Sequence, residues 1–119
     1  MVAAIRVLGN IATGNDRQLD YLLSQNILEF MHGTLRRNQK TIRKESCWLL
    51  SNITAGNAHA VGMVLGRKDL VKDLLNIVST DLPDIRIEAL YALANGTANG
   101  NKESLFAFYQ EEDIISYFV

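Results

Sequence analysis

A segment of eleven residues occurs twice in this chain, 43 residues apart. Residues 42–52 match residues 85–95, with Ile, Arg, Glu, Leu and Asn identical and an aromatic residue at the same place in both. A shorter copy lies at residues 3–10, which is 42 residues before the middle one. A fixed period of this length is typical of proteins built from stacked repeats, in which each repeat buries its apolar face against its neighbours.

The repeats are predicted to be helical. Apolar residues recur every three or four positions, as at Leu19, Leu22 and Leu23. The single proline, Pro83, suits the first turn of a helix. Gly and Asn interrupt the pattern, and we expect them to end helices in the left-handed conformation. These interruptions fall at 13–15, 33, 55–57 and 99–101.

The length of the period narrows the fold. Helical repeats of 42–43 residues lie within the armadillo and HEAT range of about 40–47 residues. We therefore predict an all-α fold, an α-α superhelix of the armadillo-repeat type, with about three repeats in the chain. Residues 1–14 correspond to the last helix of one repeat, 15–56 and 57–100 to two repeats, and 101–119 to the start of a further repeat, all within a single domain.

A segment that begins and stops inside repeats is expected to expose apolar side chains at both ends. Such patches favour association between copies of a protein. We therefore expect self-association through the repeat ends. The residues concerned are Ile5, Val7, Leu8, Phe106, Phe108, Ile114 and Ile115.

Composition excludes several classes of function. Twelve Lys and Arg balance thirteen Asp and Glu, so the basic excess that binds nucleic-acid phosphates is missing. No apolar run approaches the roughly 18 residues of a membrane span, and we expect no membrane partner. Cys47 is the only cysteine and falls in an apolar stripe. With no catalytic or metal-ligating constellation in the sequence, we expect no enzyme, no metal and no cofactor.

A second pattern runs along the repeated helix. At 100° per residue, Glu45, Trp48 and Asn52 form a narrow stripe opposite the apolar face. The equivalent residues are Glu88, Tyr91 and Asn95 in the following helix and Ala3, Arg6 and Asn10 in the preceding one. Such a ladder suits an extended cationic peptide, because amides can bond to its main chain and aromatic faces attract cations. The alternative is that the aromatic residues only pack and the asparagines close helix ends, but three asparagines at one register favour a ligand.

Residues 42–57 resemble the third helix of an armadillo repeat in the importin alpha family. That family binds nuclear localisation signals through an array of Trp-x-x-x-Asn motifs. Residues 4–16, with Arg6 in the aromatic position, resemble the repeat in which the family replaces this Trp by Arg. Residues 91–95 resemble a following repeat. This order matches the carboxy-terminal half of the array, which holds the minor signal-binding site.

The resemblance implies a nuclear import adaptor present in cytoplasm and nucleus. It implies that the cargo proteins' basic signal peptides are partners, and that the full-length protein also binds importin beta. Tyr91 stands where the family has Trp, so we expect a weaker pocket there. The implied peptide-binding residues are Arg6, Asn10, Glu45, Trp48, Asn52, Glu88, Tyr91 and Asn95.

A different armadillo scaffold, junctional or cytoskeletal, is the alternative function. Its groove would hold an acidic or helical ligand and would be lined by Lys and Arg. The sequence places only Arg6 in the groove among such residues. The ladder of acids, aromatics and amides favours the basic peptide.

Overall fold

The computed structural model describes residues 1–100, and within this range every regular element is a helix. The prediction of an all-α chain is confirmed for these residues. The helices are α1 (Val2–Ala12), α2 (Asp16–Ser24), α3 (Ile27–Thr34), α4 (Lys40–Thr54), α5 (Ala58–Leu65), α6 (Lys68–Thr80) and α7 (Pro83–Asn99).

The three helices that carry the repeated segment form one row. Helix α4 packs against α1 on one side and against α7 on the other. Helix α3 packs on α6 and α2 packs on α5, so equivalent helices of successive repeats lie side by side. The core runs through the whole row, since Ile5 of α1, Leu49 of α4 and Ile85 of α7 are all fully or almost fully buried.

The breaks between helices work differently from the prediction. Asn15 and Asn57 are extended residues whose side-chain oxygens accept hydrogen bonds from the N–H groups of Gln18 and Ala60, both at 2.8 Å. They therefore cap the start of the next helix. The expected left-handed stops at Gly and Asn are wrong for residues 1–100, where the one left-handed residue is Asn26, just before α3. The turns after α1 and α4 use right-handed residues instead. Pro83 begins α7, as predicted.

The expected exposure of Ile5 is also wrong. Ile5 is fully buried, because its face of α1 packs on α2 and α4. Val7, on another face of α1, is 57% exposed, and Leu8 is half-buried. The other residues of that expectation, and the further repeat at 101–119, lie outside the described residues. Self-association stays a prediction.

A charged link joins the two turns that precede α4 and α7. The Arg43 guanidinium donates to both carboxylate oxygens of Asp81, at 2.8 and 3.0 Å, and to the carbonyls of Arg37 and Asn38. Both side chains of the pair are largely buried. Arg43 lowers the pKa of Asp81, first through these hydrogen bonds. The link holds neighbouring repeats at one relative position.

Candidate peptide-binding groove

The stripe predicted from the sequence borders a groove along α1, α4 and α7. The groove has a volume of about 400 Å³ and is lined by Arg6, Asn10, Lys44, Glu45, Trp48 and Glu88. Five of the eight predicted site residues therefore lie together. Asn52 on α4 and Asn95 on α7 are half-buried and do not line the groove, and Tyr91 is 58% exposed on α7.

Glu45 already has a cationic partner within the chain. The Arg6 guanidinium donates to its Oε1 atom from Nη2 at 2.8 Å and from Nε at 3.2 Å. The Glu45 side chain is only 13% exposed, whereas that of Arg6 is 64% exposed. The pair raises the pKa of Arg6, chiefly through the hydrogen bond. Because Arg6 is solvated, a cation of a ligand can compete with it for Glu45.

Among the other charges of the groove, Glu88 differs from Glu45 and Lys44. The Lys44 ammonium lies 3.5 Å from a carboxylate oxygen of Asp84. Within residues 1–100, Glu88 forms no ion pair with a Lys, Arg or His. Within the part of the chain that the structure describes, Glu88 is therefore the groove carboxylate left to pair with a cation of a ligand, while Glu45 and Lys44 have partners.

The Trp48 indole packs closely against α1 at Gly9. A Cβ atom built on Gly9 would fall 2.6 Å from Cη2 of the indole and 3.1 Å from Cε3, and closer still to Cζ3. Carbon atoms normally approach no closer than about 3.5 Å. Only glycine at position 9 allows the indole to take this place, in which it is half-buried.

Two of the three asparagines of the ladder, Asn52 and Asn95, bridge neighbouring helices. Asn52 Nδ2 donates to the Gly9 carbonyl at 3.3 Å, and Asn95 Nδ2 donates to the Ser51 carbonyl at 3.0 Å. In both cases the acceptor is the carbonyl of the residue just before the ladder asparagine of the preceding helix in the row. Each amide is thereby oriented, and it keeps an oxygen and a second N–H that an extended peptide backbone can use.

Sequence reasoning did not find Lys44, which lines the groove, or Gly9, against which Trp48 packs. Lys44 belongs to a run of basic residues whose place relative to the groove no local pattern indicates. Gly9 did leave a signal, since glycine inside a helix is unfavourable by about 1 kcal/mol relative to alanine. A small residue also precedes each ladder asparagine, namely Gly9, Ser51 and Ala94.

Residues 1–100 contain neither a metal-binding cluster nor a helix that could span a bilayer. No three His, Cys, Asp or Glu side chains in this range are arranged to hold a metal ion. None of the helices described is both long and apolar enough to cross a bilayer.

Comparison with known sequences relates the chain to repeat proteins. A family model described as a HEAT-like repeat matches residues 2–53. Importin subunit alpha-1a of Oryza sativa subsp. japonica is 36% identical over 81 residues, which make up 67% of this chain and 15% of that protein. The chain thus spans less than a fifth of the length of this relative.

Solved structures share the fold over almost the whole chain. A crystal structure of an engineered protein matches with a TM-score of 0.81 at 29% identity, covering 92% of this chain and 44% of that one. A designed armadillo repeat protein in complex with the peptide (KR)4 matches with a TM-score of 0.74 at 25% identity, covering 91% and 44%. The armadillo-type helical solenoid predicted from the 43-residue period is confirmed.

Proposed function

This chain is a homologue of the importin alpha subunits and corresponds to part of their armadillo-repeat region, and from this premise we propose that it binds basic nuclear localisation signal peptides in extended form. The observation that carries the proposal is the convergence of Trp48, Glu45 and Glu88 on one groove. An aromatic face beside carboxylates is the chemistry that holds a Lys or Arg side chain. The matching designed protein that holds (KR)4 supports the same ligand class.

Trp48 is the proposed anchor of the peptide. Indole has the strongest cation–π face of the aromatic side chains, and one such contact is worth about 0.5–2 kcal/mol. The contact of the indole with Gly9 limits its motion, so little freedom is left to lose on binding. A Lys or Arg stem lying across Trp48 would bring its charged end towards Glu88.

Asn52 and Asn95 are proposed to bond to the peptide main chain. Their bridging bonds to Gly9 and Ser51 set the direction of each amide before a ligand arrives. Regular spacing of the asparagines would hold an extended peptide at one register. Asn10, at the groove's edge, is the proposed third member of this ladder.

Two features limit the affinity. Arg6 already pairs with Glu45, so a cation of the ligand must displace Arg6 or pair with Glu88 instead. Tyr91 is exposed and offers a smaller aromatic face than Trp, so the second pocket should be the weaker one. With one strong pocket and a flexible ligand, we expect dissociation constants in the micromolar range or above, about −8 kcal/mol or less favourable.

The wider role follows from the same proposal. The two repeats are proposed to span 15–56 and 57–100, and each starts at a capping asparagine. The groove is proposed to belong to the minor-site half of the array. The complete protein would carry cargo between cytoplasm and nucleus, bind importin beta, and act as an adaptor rather than an enzyme.

The second candidate is a scaffold for an acidic ligand. Lys44 lines the groove in addition to Arg6, so two cations border it instead of the one placed by sequence. Arg6 and Lys44 both have carboxylate partners, whereas Glu88 has no cationic partner within residues 1–100. This charge balance favours the basic peptide.

Fluorescence polarisation of a labelled (KR)4 peptide tests the proposal. The chain should bind it saturably, and affinity should fall as salt rises because charge pairs are screened. Trp48→Ala should weaken binding by about tenfold. Asn52→Ala should weaken it by about three- to tenfold.

Matched variants outside the groove serve as controls. Tyr21→Ala truncates an exposed aromatic residue of α2, and Asn76→Ala removes an exposed amide of α6. Both should bind (KR)4 as the parent does. Equal binding by the parent and Trp48→Ala would contradict the basic-peptide function, and tighter binding of a labelled (DE)4 peptide than of (KR)4 would favour the acidic-ligand scaffold.

A further inference from the structure

Gly9 contacts both the aromatic and the amide residue of the first proposed pocket, which consists of Trp48 and Asn52. Gly9 packs under the indole of Trp48, and its carbonyl accepts the hydrogen bond from Asn52. Gly9 itself is buried and lies in a different repeat from the two residues that it contacts. The groove therefore depends on a residue that has no side chain to offer a ligand.

We propose that Gly9 is the positioning residue of this pocket. In each repeat, the size of the residue before the ladder asparagine then sets how deeply the aromatic side chain of the next repeat is buried. The inference deepens the proposed function and rests on it for its consequence in binding. The position of the Trp48 indole can be tested without a ligand.

A single methyl group at position 9 cannot be accommodated where the indole now lies. To restore a normal contact, the indole must move by about 1 Å, because carbon atoms prefer separations of about 3.5–4.0 Å. The alternative is that α1 moves away from α4, which would lengthen the 3.3 Å bond from Asn52 to the Gly9 carbonyl. Either response displaces a group on which the pocket depends, since close-packed interiors do not absorb such volume without a shift.

The next repeat provides the comparison. Ser51 follows Gly9 by 42 residues, and its carbonyl accepts from Asn95 just as the Gly9 carbonyl accepts from Asn52. The backbone arrangement is thus the same, but Ser51 carries a side chain where Gly9 has hydrogen. Tyr91, at the aromatic position of that repeat, is 58% exposed, whereas Trp48 is half-buried. This difference is the one that the rule predicts.

The fluorescence of Trp48 reports directly on the position of its indole, because Trp48 is the only tryptophan of the chain. We expect Gly9→Ala to shift the emission maximum to longer wavelength and to raise quenching by acrylamide, with the far-ultraviolet circular dichroism unchanged. Alanine favours a helix over glycine, so loss of α1 would not explain the shift. An unchanged emission spectrum and unchanged quenching would overturn the proposal.

Gly33→Ala is the matched control. Gly33 also lies in a helix, α3, and a Cβ built on it meets no atom within 4 Å. The same methyl group is added with the same gain in helix propensity, but not against the indole. This variant should keep the emission and quenching of the parent, and a shift as large as that of Gly9→Ala would overturn the inference.

Titration with labelled (KR)4 tests the consequence for binding. Gly9→Ala should weaken binding by about three- to tenfold, through partial loss of the Trp48 contact, while Gly33→Ala binds as the parent. If the parent binds and Gly9→Ala binds equally well, the positioning role is wrong. If the parent fails to bind, the proposed function fails, and the emission result alone decides whether Gly9 places the indole.

The reverse substitution tests the rule at the second pocket. In a Trp48→Phe, Tyr91→Trp chain the single indole lies at position 91. Adding Ser51→Gly should shift its emission to shorter wavelength and reduce acrylamide quenching, because the indole can then settle onto α4. An emission maximum that does not change would overturn the rule for this pair.

Discussion

At the scale of single residues, some side chains that are proposed to bind the peptide also hold the fold together. Asn52 gives one N–H to the Gly9 carbonyl and keeps its remaining groups for a ligand. Such a bond contributes about 0.5–1.5 kcal/mol to stability. Asn52→Ala should therefore lower both affinity and the free energy of unfolding, so binding has to be compared at temperatures where both chains are fully folded.

Cys47 carries a potentially reactive thiol that its surroundings make unreactive. The thiol is fully buried, and burial raises its pKa to about 12. Burial disfavours the thiolate, which is the nucleophilic form, so the folded chain should keep Cys47 protonated and unreactive. This burial agrees with the position of Cys47 in the apolar stripe of the sequence.

We expect the folded chain to resist labelling by a disulfide reagent such as dithionitrobenzoate at pH 8. In guanidinium chloride one thiol per chain should react within minutes, which serves as the positive control. Rapid stoichiometric labelling of the folded protein would contradict the burial of Cys47.

At the scale of elements, the short helices depend on their ends. Helix α5 has eight residues, fewer than an isolated helix needs to be stable in water. The Asn57 side chain satisfies the Ala60 N–H, and packing against α2, α4, α6 and α7 provides the rest. Capping and packing together therefore decide whether this segment is helical.

Asn57→Ala should lower the free energy of unfolding by about 1 kcal/mol, because it leaves a helix N–H without its partner. Asn57→Asp keeps the acceptor oxygen and should stay close to the parent. Urea denaturation followed by circular dichroism measures both. Equal midpoints for the parent and the alanine variant would show that water replaces the cap without loss.

At the scale of the whole molecule, neighbouring repeats are joined by charged links as well as by the apolar core. The Arg43–Asp81 pair is the most buried of these, and Arg43 also binds the carbonyls of the turn before α4. Hydrogen bonds to charged groups are worth about 1.5–3 kcal/mol. Breaking the link should loosen the stacking of the two repeats.

Asp81→Asn should lower the free energy of unfolding by about 2 kcal/mol at pH 7. The control is Asp84→Asn, since that carboxylate is 60% exposed and lies 3.5 Å from Lys44. An exposed pair of this kind contributes about 0–1 kcal/mol. Equal losses in the two variants, measured by urea denaturation, would contradict the role of the link.

The same carboxylate makes stability depend on pH. Arg43 lowers the pKa of Asp81 in the folded state, so its contribution is fully present above the unfolded value of about 3.9. It is lost as pH falls through the lower folded-state value. The difference between the parent and Asp81→Asn should therefore be constant from pH 7 to 5 and shrink below about pH 4. A difference that grows towards low pH would have the wrong sign.

The sequence alone determined the helices, their period and the row on which the ladder residues lie. Local signals suffice for this, because the 3.6-residue spacing of apolar side chains and Pro83 at a helix start depend only on neighbouring residues. The repeat of 43 residues then predicts that Glu45, Trp48 and Asn52 recur on equivalent helices. The fold class needed nothing more.

Tertiary structure alone decided which side chains meet between repeats. The pairing of Arg6 with Glu45, the contact of Trp48 with Gly9 and the burial of Ile5 join residues of separate helices. Their distances depend on the offset and rotation of one helix against the next, which is set by the packing of the whole row. A periodic sequence is compatible with many such offsets, so its pattern states which residues share a face but not which of them touch.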